Sequence, residues 1–170
     1  MGVRLMSSSN LKPLTTEILT RLQEKNLPVD WAMLSKEYEL PEEFIAQHHD
    51  KLDWFELSQF QQLSEELINK HQDQVNWWRI SEYQRLSEGF MAQHQDQISW
   101  RYISIYQQLS EEFMDQHQDQ VNWKYISWYQ RLSEEFIVHH LHILDLNEIK
   151  TRYPEVYNKY CLDTFQDMTM

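Results

Sequence analysis

Trp31, Trp54, Trp77, Trp100 and Trp123 follow one another at intervals of 23 residues. The same interval separates Leu40, Leu63, Leu86, Leu109 and Leu132, and the serines Ser35, Ser58, Ser81, Ser104 and Ser127. His48, His71, His94, His117 and His140 keep it too. One phrase, V-N-W-x-x-I-S-x-Y-Q-x-L-S-E-E-F-I-x-Q-H-Q-D-Q, therefore runs five times through residues 29–142. Self-similarity at a fixed period makes each copy one supersecondary unit whose neighbours bury a shared core by stacking.

Each copy reads as two short helices. In the third, Asn76 can cap a helix by accepting a bond from an orphan backbone N–H. Val75 before it and Ile80 after it occupy the two positions of a hydrophobic staple. Trp77, Ile80 and Tyr83 share one helical face. Ser87 then caps a second helix, with Leu86 and Met91 as its staple, and Ser64, Ser110 and Ser133 repeat the signal. Helices this short do not stand alone in water. Stacking is expected to bury the Trp, Ile, aromatic and Leu columns.

The ends resemble altered half-copies. "LTTEIL" at Leu14–Leu19 follows the pattern of "LSEEFI" and predicts a capping helix to about Asn26. Leu144, Asp145, Leu146 and Ile149 follow V-N-W-x-x-I, and Pro154 suits the first turn of a last helix. The expected fold is all-α, a small α-solenoid of stacked helix–turn–helix repeats with capping helices at both ends and no sheet. One structural domain is expected. It comprises a tail and capping helix over 1–28, five repeats over 29–142, and a degenerate repeat and cap over 143–170. With only Gly2 and Gly89 as glycines, the chain has few residues for hairpin turns.

The phrase W-x-x-I-S-x-Y-Q-x-L-S-E-E-F-I resembles the short tandem helical repeats found in proteins of large DNA viruses, phages and some microbes. That resemblance implies a small α-solenoid in a viral or phage setting and implies no established activity.

The formal net charge is −12, and the repeat array carries all of it. Direct nucleic-acid binding needs a basic surface, so neither nucleic acid nor an anionic membrane is expected as a partner. A basic protein partner fits. Cys161 is the one cysteine, and no apolar run approaches the ~20 residues of a membrane span. A soluble protein of the cytoplasm is expected, the host's if the source is viral.

Repeated chemistry invites a catalytic reading, but an enzyme is not expected. Ser81 and His94 recur in every copy and Asp96 in all but the last, where His142 stands, whereas a hydrolase gathers its triad in one cleft. The His column cannot chelate along a stack whose copies lie ~8–10 Å apart, since zinc ligands meet one ion at ~2 Å. A histidine near a helix C-terminus instead bonds free carbonyls and suits the dipole. His139 and His142 lack an obvious third ligand, so no metal and no cofactor are expected.

Two features are candidates for binding. The acid pairs, including Glu111–Glu112 and Glu134–Glu135, suit helix N-termini and could also form a ridge for a basic partner. On the first helix of each copy, two columns vary and become apolar toward the C-terminus. These are Arg79, Tyr102, Tyr125 and Glu82, Ile105, Trp128. Tyr102, Ile105, Tyr125 and Trp128 could form one strip facing away from the Trp–Ile face, and apolar patches mark interfaces. Two functions follow. The first is a non-catalytic protein-binding repeat scaffold engaging a host or viral protein. The alternative is an acidic anti-defence inhibitor, anti-CRISPR-like, that blocks a nucleic-acid-binding surface of a host protein.

Overall fold

The computed structural model describes residues 11–15, 18, 20 and 29–160. Among these the chain is an all-α repeat solenoid of twelve short helices with one two-stranded ladder. The first helices of the five repeats are α1 (Trp31–Glu37), α3 (Trp54–Phe60), α5 (Trp77–Tyr83), α7 (Trp100–Tyr106) and α9 (Trp123–Tyr129). The second helices are α2 (Glu42–Gln47), α4 (Glu65–Lys70), α6 (Glu88–Gln93), α8 (Glu111–Gln116) and α10 (Glu134–His139). The degenerate copy supplies α11 (Leu146–Arg152) and α12 (Pro154–Tyr160). Two compact units result, one ending at Ser99 and one beginning at Trp100. In the first, α1 packs on α3 and α3 on α5; in the second, α7 packs on α9 and α9 on α11.

The caps set the helix starts. Asp30, Asp53, Asn76, Asn122 and Asp145 each accept a backbone N–H from the first turn that follows them. Ser64, Ser87, Ser110 and Ser133 do the same for second helices. The staple residues are among the deepest of those described. Leu34, Leu57, Ile80, Ile103 and Ile126 from the first helices, and Ile45, Ile68, Met91, Met114 and Ile137 from the second, are almost wholly buried. Burying each contributes roughly 1.5–3 kcal/mol. The Trp column differs from expectation. Trp54 is buried, but Trp31, Trp77, Trp100 and Trp123 are only half-buried. Their indoles lie along the edge of the core, and those of Trp54, Trp77 and Trp123 donate an N–H to the carbonyl of the turn five residues back.

Polar side chains join one copy to the next. Gln61 Nε2 donates to the carbonyls of Ser35 and Tyr38, and Gln61 Oε1 accepts from the Leu40 N–H. Gln84 clasps Ser58, Gln61 and Leu63 in the same way, and Gln130 clasps Ser104, Gln107 and Leu109. Each of these Gln residues follows a first helix in extended conformation, which aims its amide back at the previous copy. The buried serines form a second column. Ser58 Oγ donates to the Trp54 carbonyl and accepts from the Asn76 N–H, the cap of the next repeat. Ser35, Ser81, Ser104 and Ser127 make the same pair of bonds.

Both ends depart from the column. Tyr153 and Arg152 stand where the last Gln and its preceding aromatic would be. The Arg152 guanidinium donates to the carbonyls of Ser127 and Gln130, and the Tyr153 hydroxyl accepts from the Leu132 N–H at 3.0 Å. The expected C-terminal cap is therefore present, although residues 161–170 lie outside those described. At the other end Tyr38 occupies the Gln column. A Tyr offers no amide clasp, and the backbone pairs instead: β1 (Lys12–Pro13) runs parallel to β2 (Tyr38–Glu39). This ladder corrects the expectation of no sheet. The expected N-terminal helix from Leu14 to Asn26 falls largely on residues outside those described.

Candidate functional site

The first Glu of each acid pair is occupied. Glu42 reaches one copy ahead, where its carboxylate accepts from both the N–H and the hydroxyl of Ser64, at 2.7 and 3.1 Å. Glu65 holds Ser87, and Glu111 holds Ser133, in the same two-bond geometry. Glu134 meets the cap instead. Its carboxylate accepts from Lys159 Nζ at 2.7 Å and from the Tyr160 hydroxyl at 2.9 Å. These contacts hold the Glu134 carboxyl below the usual carboxylate range and raise Lys159 above the ordinary amine value. Of the four candidate acids, Glu111 and Glu134 thus join copies, while Glu112 and Glu135 lie exposed. A shallow groove between α10 and α12, lined by Glu134, Glu135, Val138, His139 and Tyr160, is a by-product of the cap contact.

The His column packs against aromatic rings. His94 lies 4.8 Å from Trp77 and 4.4 Å from Phe90, and His117 repeats this with Trp100 and Phe113. His71 and His94 are buried with Nε2 unpartnered, whereas His140 Nε2 lies 3.0 Å from Asp115 Oδ1. Burial is the main cause of a lowered His71 pKa, with His49 and Lys70 adding to it. Among the described residues no three His, Cys, Asp or Glu converge on one point.

The aromatic strip lies on α7 and α9. Tyr102, Ile105 and Tyr125 are half-buried and Trp128 is 36% exposed. The Tyr125 and Trp128 rings meet edge to face at 6.0 Å, and the Tyr102 ring stacks on Tyr106 at 6.0 Å. The Trp128 indole N–H donates to Asp145 at 3.3 Å. The four residues lie on neighbouring first helices of one unit and are partly exposed. Glu82, two copies earlier in the Trp128 column, is buried and pairs with Arg79 at 3.4 Å.

Cations accompany the strip. The Arg101 guanidinium lies over Tyr125 at 5.5 Å, and Lys124 Nζ lies over Trp128 at 4.7 Å. Between residues 100 and 144 the charges separate by helix. All the bases (Arg101, Lys124 and Arg131) fall in or just after a first helix. All the acids (Glu111, Glu112, Asp115, Asp119, Glu134 and Glu135) fall in a second helix or its turn. Net charge conceals this division, and the basic character of the first-helix row is absent from the sequence reading. Phe55 in the first unit is also missed, and it shares with Trp78 the column of Arg101 and Lys124, the two being 44% and 66% exposed. Their exposure follows from the second helical position, just beside the Trp edge.

Compared with protein-family models, with curated proteins and with solved structures, the chain matches none. Among the described residues no helix is long and apolar enough to cross a membrane.

Proposed function

We propose that this chain is a non-catalytic scaffold that binds another protein through the first-helix row of its C-terminal unit. One observation carries the reading. The Ser, Gln and first-Glu columns hold the copies together, while Tyr102, Ile105, Tyr125 and Trp128 stand in columns that vary between copies and remain partly exposed on one row. Interfaces concentrate their energy in a few aromatic and Arg residues, and Arg101 stands beside this set. The resemblance to repeats of large DNA viruses and phages supports a partner from the host or the virus and action in the host cytoplasm.

The test is affinity capture from the native host with the parent chain and with a Tyr125→Ala, Trp128→Ala variant as baits, read by mass spectrometry. The reading expects a protein retained by the parent and lost by the variant. Identical captures would contradict it. The acidic-inhibitor reading has its own support in the exposed Glu112, Glu135 and Asp119. It expects Glu112→Lys with Glu135→Lys to abolish capture and the aromatic variant to bind normally. Reversing only these two leaves the Glu111 and Glu134 contacts in place.

A further inference from the structure

We infer that the partner presents an acidic segment, its carboxylates interleaved with apolar side chains, to the row formed by Arg101, Tyr102, Ile105, Lys124, Tyr125 and Trp128. This rests on the reading of that row as the binding surface and specifies the chemistry it accepts. The chain's net charge of −12 suggests a basic partner, but the local charge on α7 and α9 has the opposite sign. Neither helix carries a carboxylate, and each carries a base.

The geometry of these bases suits carboxylate recognition. A guanidinium lying over a ring is held in position while its N–H groups, which point outward in its own plane, stay available to donate. Arg101 sits so over Tyr125, and among the described residues no carboxylate forms an ion pair with Arg101 or Lys124. A partner carboxylate would gain charge-assisted bonds at both. Apolar side chains from the same segment would cover the exposed surface of Ile105, Tyr125 and Trp128. The strip already accepts one carboxylate at its border, where Asp145 receives the Trp128 indole N–H. The second-helix row, all carboxylate from α8 to α10, repels the same segment and so fixes which face it uses. A nucleic acid fits less well, because one charge per nucleotide meets the repulsion of the whole chain, whereas a few carboxylates need only the local pairs.

The probe is a display library of random dodecapeptides selected on the full chain, with the affinities of recovered peptides measured by fluorescence anisotropy. Peptides rich in Asp, Glu and apolar residues are expected. Their affinity should fall at least tenfold for Arg101→Gln with Lys124→Gln, fall as salt rises, and survive Arg101→Lys with Lys124→Arg to within a few fold. A melting curve on each variant confirms folding. Recovery of Lys- and Arg-rich peptides, recovery of no peptide family, or tighter binding of single-stranded oligothymidylate at the same residues would overturn the inference. If acidic peptides are lost on Tyr125→Ala with Trp128→Ala but ignore the Arg101 and Lys124 substitutions, the surface stands and its acidic partner does not. If neither pair of substitutions matters, both the surface and the partner chemistry fail.

Discussion

A single amide illustrates how this protein holds its copies together. Gln84 satisfies two carbonyls and one N–H of the preceding repeat, all buried beneath it. Removing the amide leaves those groups unpaired, and a buried unsatisfied group costs about 1–3 kcal/mol. Gln84→Ala is therefore expected to lose about 2–4 kcal/mol in urea denaturation, while the same change at exposed Gln62 should lose less than about 0.5 kcal/mol. Equal losses would mean that the clasp is not what holds the copies. His71 makes a second prediction at this scale. Its lowered pKa means that the folded chain binds fewer protons there than the unfolded chain. Stability should then rise with pH in this window and be lost as pH falls below about 6.5 toward the lowered folded value. His71→Phe keeps a ring against Trp54, 4.6 Å away in the parent, and should flatten that fall in urea midpoints. An unchanged slope would place the titrating group elsewhere.

Helices of six and seven residues owe their persistence to caps, staples and neighbours. The caps and staples are legible in the sequence because they are local rules: Asn76 and Ser87 act within four residues of themselves. The Gln clasp is not legible in that way, because its partners lie 21 to 26 residues back and no local pattern says which polar column is buried. The same blindness affects the acid pairs. A dipole argument accounts for their place at the helix N-terminus, but only the fold shows that Glu65 reaches Ser87. Helix faces were legible in direction and not in depth, as the half-buried Trp column shows. Trp100 stacks on Phe113 at 6.0 Å and His117 at 5.0 Å. Half-burial should therefore bring the cost of Trp100→Ala to about 2–3 kcal/mol, below the range for a fully buried large aromatic. Trp78→Ala, at a position 66% exposed, should cost less than about 1 kcal/mol. Comparable losses in the two variants would mean that the helix faces are assigned wrongly.

At the scale of the molecule, one set of columns joins copies and another set is presented on the first-helix row. The C-terminal cap belongs to the first set. Removing residues 143–170 takes away Arg152, Tyr153 and Lys159, and so unpairs the carbonyls of Ser127 and Gln130, the Leu132 N–H and Glu134. The shortened chain should aggregate or melt well below the parent. A monomer that melts like the parent would show that this segment caps nothing. Whether the strip belongs to the second set is the central claim, and it needs no partner to be tested. The measurement is urea denaturation of the Tyr125→Ala, Trp128→Ala variant against the parent. Residues presented at a surface predict a loss of no more than about 1.5 kcal/mol, with the helical signal unchanged. A loss of about 3 kcal/mol or more, the range for truncating a buried aromatic, would make the strip part of the core and leave no binding surface there.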